Sequence, residues 1–275
     1  MKKESTKIAF IGAGNMARSL IGGLLKQGFA AKNISASDPA EACLTATREL
    51  GEVFTTSDNQ LAIDQADIVV LAVKPQVLGS VVTPLQDKLS SNKSLLISIA
   101  AGITCESLQQ WAGKSVPMVR CMPNTPALLQ AGATGLYASS AVTEQQKSAA
   151  AAILNAVGIT VWVDKESDLD AVTAISGSGP AYFFLLIEAM QATGEKLGLS
   201  ADTAMLLVQQ TALGAARMAQ EESVDVAELR RRVTSPNGTT EAAVKSFQES
   251  GLSTVVETAL QAAYDRSQAL AKELS

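Results

Sequence analysis

The sequence predicts an α/β fold: a doubly wound parallel Rossmann sheet at the N-terminus, followed by an all-helical C-terminal domain. Three observations predict it. Short apolar runs alternate with amphipathic segments as far as about Asp164. A glycine-rich turn separates the first apolar run from the first helical one. Beyond Asp164 strand-like alternation stops and only helical spacing remains. The chain has 275 residues, which suits two domains better than one. The expected division is 1–164 and 165–275.

Lys7–Gly12 reads as the first strand, apolar and closed by glycine. Asn15–Gln27 follows as a helix with Met16, Leu20 and Leu24 on one face. Ile34–Ser37, a helix over Ala40–Leu50 and a short strand at Glu52–Thr55 come next. Asp67–Val73 is a continuous apolar run, the signature of a strand buried on both faces, and Ser94–Ala100 repeats it. Val116–Cys121 is a weaker version. Thr134–Ser139 and Ile159–Val163 extend the sheet, with a helix over Glu144–Val157 between them. Six helices are expected afterwards: Asp168–Ile175, Ala181–Leu197, Ala201–Gln220, Val226–Val233, Thr239–Glu249 and Ser253–Glu273. Gly198, Pro236, Gly238 and Gly251 supply the breaks. Several of these helices, Ala204–Ala219 above all, are apolar on more than one face. The C-terminal domain is therefore expected to form a subunit interface.

Composition excludes several chemistries. Histidine is absent, so no Ser-His-Asp triad, Cys-His pair or His-ligated metal exists in the chain, and no metal is expected. A zinc dehydrogenase and a histidine-based dehydrogenase are both ruled out. The net charge of −5 offers no electrostatic footprint for nucleic acid or an anionic membrane. Arg230-Arg231-Arg232 reads as a solvated or subunit-contact face. Cys43, Cys105 and Cys121 share no Cys-x-x-Cys spacing and fit a reducing, cytoplasmic setting. The N-terminus has no signal-like apolar segment, and no stretch is expected to reach the apolar length that spans a bilayer.

The turn Gly12-Ala13-Gly14-Asn15-Met16-Ala17 sits after a strand and opens a helix, which is where a Rossmann dinucleotide fingerprint belongs. Gly12 permits the turn, Gly14 lets backbone approach a pyrophosphate, and Ala17 lets helix and strand pack closely. Asp38, after the second strand, suits the ribose hydroxyls of NAD and leans the reading towards NADH; it equally suits the start of a turn before Pro39. Ser37 is a phosphate donor in the opposite reading. At the fourth strand's end, Lys74 is either a cofactor contact or a surface lysine before a proline-started helix. Ala100-Ala101-Gly102 either lies against a nicotinamide or is a plain turn. Met122-Pro123-Asn124-Thr125-Pro126 is a proline-stiffened loop that walls a site or merely turns. In Ser176-Gly177-Ser178-Gly179-Pro180-Ala181-Tyr182, Gly179 as N-cap and Pro180 at the first helical position explain a helix start; the extra small residues suggest close packing of a nicotinamide or a helix. Ser235-Pro236-Asn237-Gly238-Thr239-Thr240 opens another helix and either holds a small carboxylate or is a loop with a threonine cap.

In this order, these segments resemble pyrroline-5-carboxylate reductase over nearly the whole chain. The last two motifs are the most specific. The resemblance implies NADPH- or NADH-dependent reduction of 1-pyrroline-5-carboxylate to L-proline. It implies a Rossmann domain followed by a helical dimerisation domain, with dimers that assemble further into decamers. It implies cofactor contacts at Gly12, Ala13, Gly14, Asn15, Met16, Ser37, Asn59, Ala72, Val73, Lys74, Pro75, Ala100 and Ala101. Substrate positions are implied at Glu166, Arg232, Val233, Ser235, Gly238, Thr239 and Thr240. Thr240 would hydrogen-bond the ring nitrogen, and N–H groups around Gly238–Thr240 would hold the carboxylate across the dimer interface. Asn237 stands where the family usually has glycine, and asparagine tolerates the left-handed conformation. Arg232 holds a variable position, so backbone contact is expected there.

The absence of histidine agrees with that chemistry. A cyclic imine is basic and binds as the iminium, already carrying the product's proton, so position matters more than a strong acid. Three competing readings stand beside it. One is a reductase of another cyclic imine, since a methylene is weakly discriminated. Another is a β-hydroxyacid dehydrogenase relative, disfavoured because the first long helix of the second domain offers only Lys196, near its end. The third is a non-catalytic nicotinamide-binding sensor, which leaves Ser235–Thr240 unexplained.

Overall fold

The computed structural model describes residues 4–274. Contacts divide the chain into two compact units: one runs to Ser178 and takes in the residues from Ala263 onward, and the other spans Gly179–Ala262.

In the first unit, β1 (Ile8–Ile11), α1 (Asn15–Lys26), β2 (Ile34–Ser37), α2 (Glu41–Arg48), β3 (Phe54–Thr56), α3 (Asn59–Ala62) and β4 (Ile68–Leu71) come first. α4 (Pro75–Val82), α5 (Gln86–Asn92), β5 (Leu95–Ser98), α6 (Cys105–Ala112) and β6 (Met118–Met122) follow. β7 (Gly132–Ala138), α7 (Glu144–Leu154), β8 (Gly158–Trp162) and α8 (Asp168–Val172) complete the run. The eight strands make one sheet in the order β3-β2-β1-β4-β5-β6-β7-β8. Its first six positions are the doubly wound order of dinucleotide-binding folds, reversing direction between β1 and β4. Every residue of β1, β4 and β5 is buried, as their uninterrupted apolar sequences require.

The pleat divides the core in two. Ile8 and Phe10 face one way and pack with Leu20, Ile21 and Leu24 of α1 and Ile153 of α7. Ala9 and Ile11 face the other way and pack with Leu78 of α4, Leu89 of α5 and Leu108 of α6. Each fully buried leucine contributes about 1.5–3 kcal/mol. One pairing departs from the expected parallel sheet: β7 runs antiparallel to β6, with Val119 opposite Ala138 and Met122 opposite Gly135. Only residues 123–131, which include the 3₁₀ turn Thr125–Leu129, separate the two strands, and a parallel crossover needs about a dozen residues or more.

The second unit contains α9 (Gly179–Lys196), α10 (Ala201–Glu221), α11 (Val226–Arg232), α12 (Thr239–Glu249) and the first part of α13 (Leu252–Leu274). Gly198, at φ 101°, turns the chain between α9 and α10, and Gly194 lets them approach: a Cβ there would lie 3.1 Å from Cβ of Ala204. Little else is buried. Phe183 and Leu185 are each 67% exposed and Leu206 64% exposed, so the apolar faces expected from the sequence lack cover within the unit itself.

α8 does not end where expected. A π-helical stretch, Thr173–Gly177, carries it on, and Asp168–Lys196 forms one helical run that is by length and composition long and apolar enough to cross a membrane. The expectation that no stretch reaches that length treated 168–175 and 181–197 as separate helices. Gly179 is accordingly no N-cap, and Pro180 lies inside a helix rather than at its start.

Gly23 offers a test of packing against propensity. A Cβ there would meet the Ala156 carbonyl oxygen at 2.4 Å. Helix propensity favours alanine over glycine by roughly 1 kcal/mol, yet Gly23→Ala is expected to destabilise, by about 1–3 kcal/mol, in urea unfolding.

Candidate functional site

The glycine turn has the geometry of a dinucleotide cradle. Gly12 adopts φ 95°, and a Cβ there would meet the Ala72 carbonyl oxygen at 2.6 Å. Its N–H donates to the Ser37 carbonyl at 2.8 Å, binding the turn to the end of β2. Around Gly14 a Cβ would meet nothing within 4 Å, so the backbone there is open to a close-lying group. Gly14 caps α1 without any side-chain hydrogen bond, and no acidic residue occupies the first turn. The N–H groups of Asn15, Met16 and Ala17 therefore lack intrahelical acceptors and face a positive dipole end, which fits a pyrophosphate.

Neighbouring strand ends converge on this turn. Ser37 donates from Oγ to Oδ1 of Asn59 at 2.6 Å, which joins two of the implied cofactor positions. Ala72-Val73-Lys74-Pro75 passes from the end of β4 into α4; the Ala72 N–H donates to Ile11, and Lys74 is exposed. Ala100 is buried and Ala101 exposed beyond the end of β5. Gly102, at φ 76°, lies against Leu270 and Leu274, a Cβ there falling 3.1 Å from Cδ1 of Leu274.

Asp38 does something the sequence did not disclose. Its Oδ2 accepts the Ala13 N–H at 2.9 Å and its Oδ1 the Ala40 N–H at 2.9 Å. Both oxygens thus tie backbone, one of them the glycine turn itself. The turn reading of Asp38 is the observed one, and each of its oxygens keeps acceptor capacity beyond the backbone bond it makes.

Glu166 lies in the loop between β8 and α8. Its Oε1 accepts from the Cys105 N–H at 2.6 Å, at the start of α6, and from the Arg120 guanidinium at 2.6 Å. Desolvation, helped by the Glu166 charge and opposed by Arg120, pushes the Cys105 thiol up to about 12. Burial also raises the Cys121 thiol. Tyr137, on β7 opposite Arg120, is raised in the same sense, by desolvation first and then by Cys105 and Glu166.

Two of the sequence motifs prove to be halves of one arrangement. Pro180 has no N–H, so the carbonyl of Ser176, four residues earlier, loses its α-helical donor. Nδ2 of Asn124 donates to that carbonyl at 3.0 Å, while its Oδ1 accepts the Ala133 N–H at 2.9 Å. Gly177 packs beside it, where a Cβ would lie 2.5 Å from Cε of Met122 and would make the end of that side chain shift. What packs against Ser176 and Gly177 is the end of β6 and the loop after it, through Met122 and Asn124, where the sequence suggested a nicotinamide or a helix.

The remaining implied substrate positions lie in the second unit. Arg232 ends α11, its Nε paired with Glu228 at 3.0 Å, and Val233 is exposed. Asn237 is left-handed, at φ 58°, as its replacement of glycine demands. Its N–H donates to Glu241 Oε2 at 2.7 Å. The Gly238 N–H is occupied by the Ser235 carbonyl at 3.0 Å. Gly238 itself, not a threonine, is the N-cap of α12, and it carries no side-chain cap bond. The N–H groups of Thr239 and Thr240 are left at the helix start without intrahelical acceptors. Arg232 to Thr240 are thus contiguous in one unit, whereas Glu166 and all the implied cofactor positions belong to the other.

Residues 166–270 match the family described as pyrroline-5-carboxylate reductase dimerisation. Residues 7–102, from β1 through Ala101, match that described as NADP oxidoreductase, coenzyme F420-dependent. A pyrroline-5-carboxylate reductase of Pseudomonas aeruginosa is 57% identical over 272 residues, covering 98% of this chain and 99% of that one. The chain belongs to the pyrroline-5-carboxylate reductase family. A solved pyrroline-5-carboxylate reductase from Coxiella burnetii is 45% identical with a TM-score of 0.94, covering 97% of this chain and 99% of its own. The Plasmodium falciparum enzyme, solved with NADP bound, is 32% identical with a TM-score of 0.84, covering 98% of this chain and 99% of its own. Membership carries the family's chemistry, NAD(P)H-dependent reduction of a C=N bond on a small substrate, and its homo-oligomeric assembly. The exposed faces of α9 and α10 lie within the matched dimerisation segment.

Asp38→Ala releases two backbone donors around the glycine turn. It is expected to raise the KM for NADH and for NADPH alike, by about tenfold, in steady-state assays, whereas a ribose-reading carboxylate would shift the two in opposite directions. The raised cysteines set a stability window. The unfolded thiol titrates near 9.0 and the folded Cys105 near 12, so above pH 9 the folded state holds a proton that the unfolded chain has lost. Stability is expected to be insensitive to these thiols below pH 9 and to fall from there towards pH 12, as chemical denaturation at stepped pH would record.

Proposed function

We propose that this chain reduces 1-pyrroline-5-carboxylate to L-proline, the last step of proline biosynthesis, with residues 1–164 as the cofactor domain and 165–275 as the substrate and dimerisation domain. The observation that carries the reading is end-to-end likeness to reductases of that name, at 57% identity over 98% of the chain.

A nicotinamide cofactor, when bound, supplies the hydride. The chain's own residues hold and orient. Gly12 and Ala13, their N–H groups held by Ser37 and Asp38, shape the turn; Gly14 lets the pyrophosphate approach, and the N–H groups of Asn15 and Met16 receive it, with Ser37, Asn59, Ala72–Pro75, Ala100 and Ala101 lining the rest. The N–H groups of Thr239 and Thr240 receive the substrate carboxylate at the positive end of α12, where an anion gains about 0.3–1 kcal/mol or more. With the Gly238 N–H occupied, its contribution is the backbone shape that exposes the next two donors. Ser235 supports that shape through its carbonyl, and the backbone of Arg232 and Val233 borders the loop.

The Thr240 hydroxyl orients the ring nitrogen. The imine arrives protonated, so no strong acid is required. Glu166 supplies an anionic oxygen for that cationic ring. The assembled form is a dimer, and five dimers form a decamer. The protein works in the cytoplasm, away from membrane and nucleic acid; its apolar helix run from Asp168 to Lys196 is covered by its own partner.

The test is oxidation of NADH and NADPH by the purified protein given 1-pyrroline-5-carboxylate, run alongside Thr240→Val. Rapid oxidation by the native chain is expected. In the variant kcat should fall by about tenfold or more, with cofactor KM unchanged. Oxidation with only a six-membered cyclic imine would move the substrate, and cofactor binding without any turnover would make the chain a sensor. Unchanged turnover in Thr240→Val would remove the orienting role.

A further inference from the structure

Arg120 is an uncommon residue for its place. It is the central residue of β6, in Met118-Val119-Arg120-Cys121-Met122, flanked in register by Ser98 of β5 and Tyr137 of β7. Only 12% of its side chain is exposed. Burying a guanidinium inside a sheet is costly, and an apolar pair of the same volume often stabilises a fold equally well or better. Stability alone is therefore a weak reason for its presence.

The geometry of its partner gives a better one. Arg120 meets Oε1 of Glu166 at 2.6 Å, and the Cys105 N–H donates to that same oxygen at 2.6 Å. No nitrogen donor among the described residues reaches Oε2, the Cys105 thiol is hydrogen-bonded to the same carboxylate, and 29% of the Glu166 side chain is exposed. Two nitrogen donors therefore converge on one oxygen and none on the other. The donors come from different elements, β6 and the first residue of α6, so the carboxylate is fixed in direction as well as place. The Arg120 charge is spent on Oε1, and the nearby Cys105 thiol and Tyr137 phenol, both raised by desolvation, add no second negative charge at neutral pH.

We propose that Arg120 is a positioning residue for Glu166: by claiming Oε1 together with the Cys105 N–H, it turns Oε2 outward to meet the cationic ring of the protonated imine. The inference rests on the reading of Glu166 as a substrate contact and goes beyond it, assigning the orientation of that contact to a strand residue that touches no substrate itself. A carboxylate released from Arg120 would rotate and share both oxygens with solvent, weakening its hold on the imine while leaving the glycine turn unaffected.

The test uses the full chain in steady-state assays with 1-pyrroline-5-carboxylate and NADPH, comparing Arg120→Met, Arg120→Lys, Glu166→Gln and the double variant Arg120→Met/Glu166→Gln. Arg120→Met is expected to raise the KM for the imine on the order of tenfold, a charge-assisted hydrogen bond's effect, with the KM for NADPH unchanged. Arg120→Lys should recover most of the loss. Glu166→Gln should raise the imine KM by itself, and the double variant should be no worse than Glu166→Gln. If Glu166→Gln raises the imine KM and Arg120→Met does not, the positioning role is overturned. If Glu166→Gln leaves the imine KM unchanged, the substrate role of Glu166 fails first. Additive losses in the double variant would also overturn the proposal, because Arg120 would then act by another route. Should Arg120→Met fail to fold, Arg120→Gln takes its place under the same criteria.

Discussion

The approach of Gly12 to the end of β4 is the contact on which the rest of the first unit depends. With 2.6 Å between the site of a missing Cβ and the Ala72 carbonyl oxygen, no side chain fits, so the chain turns within the width of two adjacent strands. That turn starts α1 directly above the point where the strand order reverses. It leaves the helix start without a side-chain cap and ties it to β2 through Ser37 and to the loop after β2 through Asp38. A bulkier turn would displace α1, whose Leu20, Ile21 and Leu24 close one face of the sheet.

A chain without histidine handles charge by placement. Both helix starts that matter, α1 and α12, have a glycine N-cap and no side-chain cap bond, so each presents backbone donors to whatever anion arrives. The charged contacts inside the first unit are few and directed. Glu166 accepts two donors on one oxygen, and Asp38 gives one oxygen to each of two backbone groups. Fixed dipoles and oriented carboxylates of this kind need no reorganisation when charge shifts in a reaction.

Much of this was legible in the residues. Strand positions β1, β2, β4 and β5 followed from apolar runs, and the helices beyond Asp164 from their spacing, because both signals are local. The cradle at Gly12–Met16 was legible because strand, turn and helix agreed. What was hidden depended on distance along the chain. The antiparallel β7 follows from a connection too short for a crossover, which only the observed strand ends reveal. Asp38 is equally able to bind ribose or backbone, and its choice of Ala13 is a fact of packing. Pro180 looked like a helix start because its missing N–H is harmless there; in the fold the orphaned Ser176 carbonyl is answered by Asn124, 52 residues away. Arg120 did carry a signal, a guanidinium amid apolar strand residues, but its partner lies 46 residues on.

The bare faces of α9 and α10 bear on how the protein is made. Phe183, Leu185 and Leu206 are largely exposed on the single chain, so a newly synthesised copy carries sticky helices until it finds another. Folding of the second unit and encounter between copies are then one thermodynamic process. Its midpoint moves with protein concentration. The interval before pairing is also when self-association of the wrong kind competes, so the cell's supply of identical chains is itself part of what keeps each one folded.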